Sequence, residues 1–263
     1  MTAWREQTAD GVSFFRPEGV PGELVVAFSA RGVAPEGEAS PTVYLARRLA
    51  RALSLDGLPI VRATQVHGDR AVRILDPPAA GEVRDAGECD ALATARSGVA
   101  LVVQTADCVP VLLAGDRAIA TAHAGWRGTA LGASSAAVRA LRELGEEPSR
   151  LRAWLGPAIG ACCYEVGGEV AAQFAGEFVR ASCGGRFRVD LPAANRAQLA
   201  AAGVPEGSIA THPSCTMCGG AKFASYRRDG AAAGRMLGLI VRRGGASTSS
   251  SPSTLRRPAS KEE

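Results

Sequence analysis

At 263 residues, with 46% apolar and 21% charged side chains, the chain can bury one large core or two small ones and has the balance of a globular protein. The longest apolar stretch, 99–114, is broken by Gln104, Thr105 and Asp107, which excludes a membrane span. The net charge of +4 is modest and no basic run is interleaved with aromatics, so nucleic-acid binding is excluded as well.

In chain order, the first eleven residues carry no basic segment followed by an apolar one, so no signal peptide is read and a cytoplasmic location is expected. A strand is expected over 23–29 (ELVVAFS), then a helix over 42–55 with Leu45, Leu49 and Leu53 four apart on one face. Residues 61–66 and 71–75 read as a hairpin turning at His67-Gly68-Asp69-Arg70. Two apolar strands, 99–104 and 109–114, are joined by Thr105-Ala106-Asp107-Cys108, and a short strand over 118–122 ends at His123. An alanine-rich helix follows over 129–144, with Val138, Leu141 and Leu144 on one side. A strand near 151–155, helices near 168–179 and 193–202, and a last strand over 236–241 complete the body. The Ser/Thr/Pro-rich segment 244–263 has no periodic apolar face and reads as a disordered tail, leaving 1–243 as one folded unit. Strands that cluster and pair predict mixed sheets flanked by helices. No G-x-G-x-x-G follows a strand, so a dinucleotide-binding turn is not expected.

Seven cysteines at irregular spacing argue against a disulfide framework and leave free thiols, metal ligands or a nucleophile. Histidine is scarcer: His67, His123 and His212 are the whole set. His67, Cys108 and His123 all fall at strand ends, flanked by small residues in QVHG, TADC and AHAGWRG. Two imidazoles and a thiolate suit zinc, and three protein donors leave a fourth position open for water or substrate. The residues alone weigh equally for a plainer reading, in which the histidines are hydrogen-bonded turn residues and Cys108 is a small buried apolar group. A third reading makes Cys108 a nucleophile and His123 its base. A copper oxidase of the laccase type ranks low, because three histidines cannot build both a blue site and a histidine-rich cluster.

Cys215-Thr216-Met217-Cys218 has the spacing of a zinc knuckle, but no second pair at matching spacing accompanies it, so an incidental role is favoured. The adjacent Cys162 and Cys163 are expected to be buried. Arg31, at a strand end, and the arginines of Tyr226-Arg227-Arg228-Asp229-Gly230 are placed to meet an anion; for the latter a turn-stabilising Arg–Asp pair is the slightly preferred alternative.

Taken together, FSARG, QVHG, TADCVPVLL, AHAGWRGT, LGPAIGACCYEVGGEV, DLPAANRAQLAAAGV and CTMC followed by FASYRRDGAAAGRM resemble the YfiH-like family, in that family's order over roughly 28–241. Its members are long labelled polyphenol oxidase or laccase-domain proteins and are known as purine nucleoside phosphorylases. The resemblance implies a single-domain α/β fold, a four-layer α-β-β-α sandwich with mixed sheets. It implies one zinc ion per chain held by His67, Cys108 and His123, with these three also catalytic. It implies phosphate-dependent cleavage of adenosine, inosine, guanosine and methylthioadenosine, with adenosine deamination alongside. Arg31 is carried over as a substrate contact, with Arg227 and Arg228 as further candidates and Asp107 and Glu165 near the motifs. Between Gly32 and Thr42 the stretch VAPEGEASP is shorter than the family pattern, which sets the rim of the substrate site apart.

Overall fold

A computed structural model describes residues 2–244. The expected tail, 244–263, lies outside the described residues apart from Gly244. In chain order the elements are β1 (Trp4–Ala9), β2 (Val12–Pro17), β3 (Leu24–Ser29), α1 (Pro41–Ala52), β4 (Ile60–Thr64), β5 (Ala71–Arg73), β6 (Val83–Glu88), β7 (Ala91–Thr94), β8 (Ala100–Thr105), β9 (Val109–Ala114) and β10 (Ile119–Ala124). They continue with α2 (Trp126–Leu131), α3 (Ala133–Glu143), β11 (Arg152–Leu155), β12 (Glu165–Val166), α4 (Gly168–Ala171), β13 (Val179–Ala181), β14 (Phe187–Val189), α5 (Leu191–Ala201), β15 (Ile209–Thr211), α6 (Tyr226–Asp229) and β16 (Met236–Arg242).

A seven-stranded sheet, ordered β1-β2-β3-β16-β8-β4-β6, packs against a six-stranded one, ordered β15-β11-β9-β10-β7-β5. Both are mixed: β4 runs parallel to β6 and β8, β5 to β7, and β11 to β15, while the other pairs are antiparallel. Strand alternation sorts the side chains into three apolar layers. Val26, Phe28, Leu101 and Ile240 of the first sheet meet Leu92, Leu112, Ile119 and Trp154 of the second. Helix α1 lays Leu45 and Leu49 on the outer face of the first sheet, over Val25, Ala27 and Leu239. Helices α3 and α5 cover the second sheet, with Val138, Leu141, Leu191 and Leu199 on Val111, Leu113 and Ala122. The result is the expected four-layer α-β-β-α sandwich.

Phe28 fills the seam between the sheets, where Gly156 and Gly238 leave it room; a Cβ on Gly156 would stand 2.2 Å from its ring. Phe28→Ala should lower stability by about 3–5 kcal/mol in chemical denaturation, because the two sheets cannot collapse into the space it leaves.

Several elements differ from the sequence reading. Residues 61–66 and 71–75 are not a hairpin: β4 belongs to the seven-stranded sheet and β5 to the six-stranded one. Indeed every connection from β4 to β9 crosses between sheets, and apolar runs of this length do not reveal which sheet each strand joins. His123 lies inside β10, not beyond its end. The helix expected over 129–144 is two helices, broken at Gly132, whose φ of +90° is left-handed. Only Gly168–Ala171 of 168–179 is α-helical; glycines at 167, 168 and 176 weaken it, and β13 joins a small sheet ordered β12-β14-β13. The β1–β2 hairpin, absent from the sequence reading, turns at Asp10-Gly11, whose φ values of +48° and +68° suit the turn. Among the described residues no helix is long and apolar enough to cross a membrane.

Candidate metal centre

The crossings β4–β5, β6–β7 and β8–β9 bring His67, Asp90 and Cys108 to one edge of the sandwich, beside His123 of β10. One donor atom from each of His67, Cys108 and His123 lies within 4.8 Å of the others, a spacing at which all three could hold a single ion. The two imidazole rings stand edge-on, with centroids 4.8 Å apart. His123 is buried, Cys108 is half-buried and His67 is exposed, so the group faces outward on one side only.

Asp90, 3% exposed, organises this arrangement. Its carboxylate accepts the backbone N–H groups of Val66, His67 and Gly68 at 3.2, 2.9 and 2.7 Å. That holds the QVHG turn in a conformation where His67 has a φ of +63°, a region L-residues avoid. The same carboxylate lies 2.8 Å from His123 Nδ1. An Nδ1–H donated there leaves Nε2 as the free donor atom, the arrangement that orients metal-binding histidines. The Gln65 amide adds a second brace, donating to the Gln104 carbonyl and accepting the Gln104 N–H, both at 2.8 Å. Gly125 completes the packing: a Cβ there would lie 2.9 Å from Cys108 Sγ and 3.0 Å from His67 Cδ2.

Burial pushes the Cys108 thiol up, but hydrogen bonds and charge from His123 and His67 together outweigh it and bring the pKa down to about 6. Burial pushes His123 down, and Asp90 with Cys108 reverses this to about 9. Asp90 sits below its ordinary range, because His123 and the N–H groups outweigh the upward push of burial. In metal-free protein Cys108 is therefore a thiolate above about pH 6. Iodoacetamide labelling of Cys108 should rise with pH through that value, well before ordinary thiols react near about 8.5. A labelling midpoint near that of an ordinary thiol would contradict this electrostatic balance.

The centre opens on a cleft of about 630 Å³, within the usual range for small-molecule sites. Trp126, Tyr164 and Tyr226 supply aromatic walls, and Arg62, Arg227 and Arg235 line the same cleft. The Arg227 guanidinium lies over the Tyr164 ring at 5.1 Å and donates to the Glu165 carbonyl at 2.7 Å.

The other singled-out arginines are placed differently. Arg228 donates to the carbonyls of Thr216, Met217, Gly220 and Phe223 and pairs with Asp229, so its guanidinium is a clamp within the loop. Arg31 lines a separate cavity, donates to the Ala232 carbonyl and lies 3.5 Å from Asp229. The structure thus brings Arg227, and neither Arg31 nor Arg228, to the cleft beside the three donors. Asp107 is engaged by the Thr216 hydroxyl and the Arg227 N–H, and the Glu165 carboxylate by Ser182 and Arg186. Arg228→Ala should cost about 2–4 kcal/mol of stability. Arg227→Ala should fold normally and lose affinity for an anionic ligand, as measured by titration beside thermal melts.

Sequence reading did not single out Asp90, Gln65, Gly125 or Arg235. The third histidine, His212, lies elsewhere, edge-on to Trp4 and Phe15, with burial pushing its pKa down to about 4.

Fold and site together define a mixed α/β protein with a His-Cys-His donor set at the mouth of a ligand-sized cleft. The family described as multi-copper polyphenol oxidoreductase laccase matches residues 38–243. The chain belongs to this family, the YfiH family. Purine nucleoside phosphorylase ORF3 of Streptomyces griseus is 43% identical over 198 residues, covering 73% of this chain and 78% of that protein. Adenosine deaminase RL5, from an unknown prokaryotic organism, is 40% identical over 163 residues, covering 59% of this chain and 62% of that one. The crystal structure of YlmD from Geobacillus stearothermophilus aligns with a TM-score of 0.79 at 30% identity, covering 92% of this chain and all of that one. Relatives named as enzymes support an enzyme here.

Proposed function

We propose that this chain is a zinc-dependent purine nucleoside phosphorylase, acting on adenosine, inosine, guanosine and methylthioadenosine, with adenosine deaminase activity alongside. The observation that carries the reading is the donor triad opening on an aromatic-walled cleft that also presents arginines. The names of the phosphorylase and deaminase relatives support it. In this reading residues 1–243 are the catalytic unit, and seven free cysteines suit a reducing, cytoplasmic setting.

Two imidazoles and a thiolate fit zinc in donor type and number, all three residues line the cleft, and three donors would leave a fourth position for water or substrate. Zinc held by His67, Cys108 and His123 would supply Lewis acidity at that position. Asp90 keeps the His123 proton on Nδ1, so that Nε2 stays available. The aromatic walls receive the purine and exclude water from its faces. Arg227, with Arg235 beside it in the cleft, holds inorganic phosphate as the dianionic nucleophile. In phosphorolysis a phosphate oxygen bonds to ribose C1′ as the C1′–N9 bond breaks, giving ribose 1-phosphate and the free base. In deamination water adds at adenine C6 and ammonia leaves.

A second reading is favoured by geometry: the Cys108 sulfur and a His123 ring nitrogen lie within 4.8 Å, and, against the upward push of burial, the imidazole holds the thiol well below its ordinary range, as suits a thiolate–imidazolium pair in nucleophilic catalysis. The two uses of Cys108 exclude each other. A multi-copper oxidase needs imidazoles the sequence does not have.

The test incubates metal-quantified protein with adenosine or inosine, with and without phosphate, and separates products by chromatography. Free base with ribose 1-phosphate, formed only with phosphate and lost in Cys108→Ala, supports the proposal. No turnover by zinc-loaded protein, with wild type matching Cys108→Ala, sinks it. Turnover that survives full chelation but not alkylation of Cys108 favours the thiol reading.

A further inference from the structure

A second group of donors lies away from the cleft. Cys162 and Cys163, in the turn before β12, meet Cys215 and Cys218, and all four sulfur atoms lie within 4.8 Å of one another. Cys162 and Cys163 are respectively exposed and half-buried, not buried as their sequence suggested, and Cys215 alone of the four is buried. We propose that Cys162, Cys163, Cys215 and Cys218 form a closed four-thiolate site for a single structural zinc ion.

Geometry, backbone and charge each support this. Zinc–sulfur bonds of about 2.3 Å in a tetrahedron put the sulfurs about 3.8 Å apart. Cys162 Sγ and Cys218 Sγ stand 3.7 Å apart, beyond bonding distance for a disulfide of about 2.0 Å. Four donors close the coordination sphere, which is the structural and not the catalytic arrangement.

The backbone is already wound as a thiolate-binding turn. Gly160 donates its N–H to Cys215 Sγ at 3.2 Å, and the N–H groups of Met217 and Cys218 face the same sulfur. Gly219 donates to the Cys215 carbonyl at 2.9 Å and closes the C-x-x-C loop. Such converging N–H groups stabilise negative charge on a sulfur. Two guanidinium groups flank the assembly: Arg188 donates to the Cys162 carbonyl, and Arg228 to those of Thr216 and Met217. Arg228 is already balanced by Asp229, so it is Arg188 that would offset part of the net negative charge of a zinc–tetrathiolate unit.

The location gives the ion a purpose. The turn holding Cys162 and Cys163 runs directly into Tyr164, and the loop holding Cys215 and Cys218 leads to Tyr226 and Arg227, all of which line the cleft. Apart from the cysteines, the loops touch through Thr216 N–H to the Ala158 carbonyl at 3.0 Å and through Arg227, which meets the Glu165 carbonyl and the Tyr164 ring. An ion shared by four thiolates would tie them into one wall.

Untagged full-length protein, purified under reductant and dialysed against metal-free buffer, should carry about two zinc ions per chain by elemental mass spectrometry. Cys162→Ser/Cys218→Ser should retain about one, and so should His123→Ala. The cobalt-substituted His123→Ala protein, with four thiolates on its ion, should show thiolate-to-cobalt absorption about fourfold stronger than the double serine variant, whose remaining ion has the single Cys108 thiolate. Because Cys162 and Cys218 are exposed, that variant should keep its fold by circular dichroism while its 212–228 loop becomes susceptible to limited proteolysis. One ion per chain that the serine variant keeps would overturn the proposal, as would a Cys162–Cys218 disulfide or iron in the purified protein. Loss of an ion in the serine variant but none in His123→Ala would uphold this site and count against the catalytic zinc.

Discussion

Asp90→Asn should weaken zinc binding at the proposed site by about 10–100-fold and lower the stability of the metal-free protein by about 2–4 kcal/mol. Both effects arise because one buried carboxylate serves four donors. It accepts three N–H groups of the QVHG turn and the His123 imidazole. An asparagine keeps one carbonyl oxygen but turns an NH2 toward groups that are themselves donors. Either an N–H of the turn is left unpaired, or His123 must present Nδ1 without its proton, which puts the proton on Nε2 where the metal should bind. The Asp90 pKa lies below its unfolded value, so its contribution is complete above the usual carboxylate range and is lost as pH falls through the depressed native value. Zinc affinity measured by competition with a chromophoric chelator, beside urea denaturation of the metal-free protein, checks both numbers. An unchanged affinity would show that Asp90 orients nothing the metal needs.

Gly125→Ala is the second large effect, and it is local. Gly125 has a φ of −73°, which alanine adopts freely, so no backbone strain enters. The damage comes from the added carbon, placed within 3.0 Å of both Cys108 Sγ and His67 Cδ2. To make room, two of the three donors must separate or rotate. Zinc affinity should fall at least about tenfold, while stability drops by only about 1–3 kcal/mol. Measured against Asp90→Asn, a comparable loss of metal affinity comes with a smaller loss of stability. A Gly125→Ala protein that binds zinc normally would mean the donors do not converge as described.

The sandwich was legible because the motifs come in an order that a known family shares, and apolar runs such as 99–104 and 109–114 could only be core strands. The donors were legible for a different reason: histidine is rare in this chain, so His67 and His123 stood out. Asp90 was not, since GECDAL has no spacing that separates a buried organising carboxylate from a solvated one. Its role depends on the β6–β7 crossing, and neither of those short strands was read from the sequence, which assigned no element between 75 and 99. For Arg228 the residues favoured a turn-stabilising pair with Asp229 over an anion contact, and the structure shows that pair. Both arginines of Tyr226-Arg227-Arg228 are equally cationic, and only the fold sends one into the loop carbonyls and leaves the other in the cleft.

The alternation of β4 to β9 between the two sheets has a mechanical consequence. The donors His67 and Cys108 and the brace Asp90 each sit on a separate bridge thrown across the same seam, so an ion held by this group is a rivet through both plates of the sandwich. Sliding one plate against the other moves the donors apart, and fixing the donors stops the slide. Thermodynamic reciprocity makes these one quantity: whatever free energy metal binding lends to the registration of the sheets, loosening of that registration withdraws from metal binding. A change such as Phe28→Ala, in the middle of the seam, is therefore felt at the rivet although it touches none of the donors.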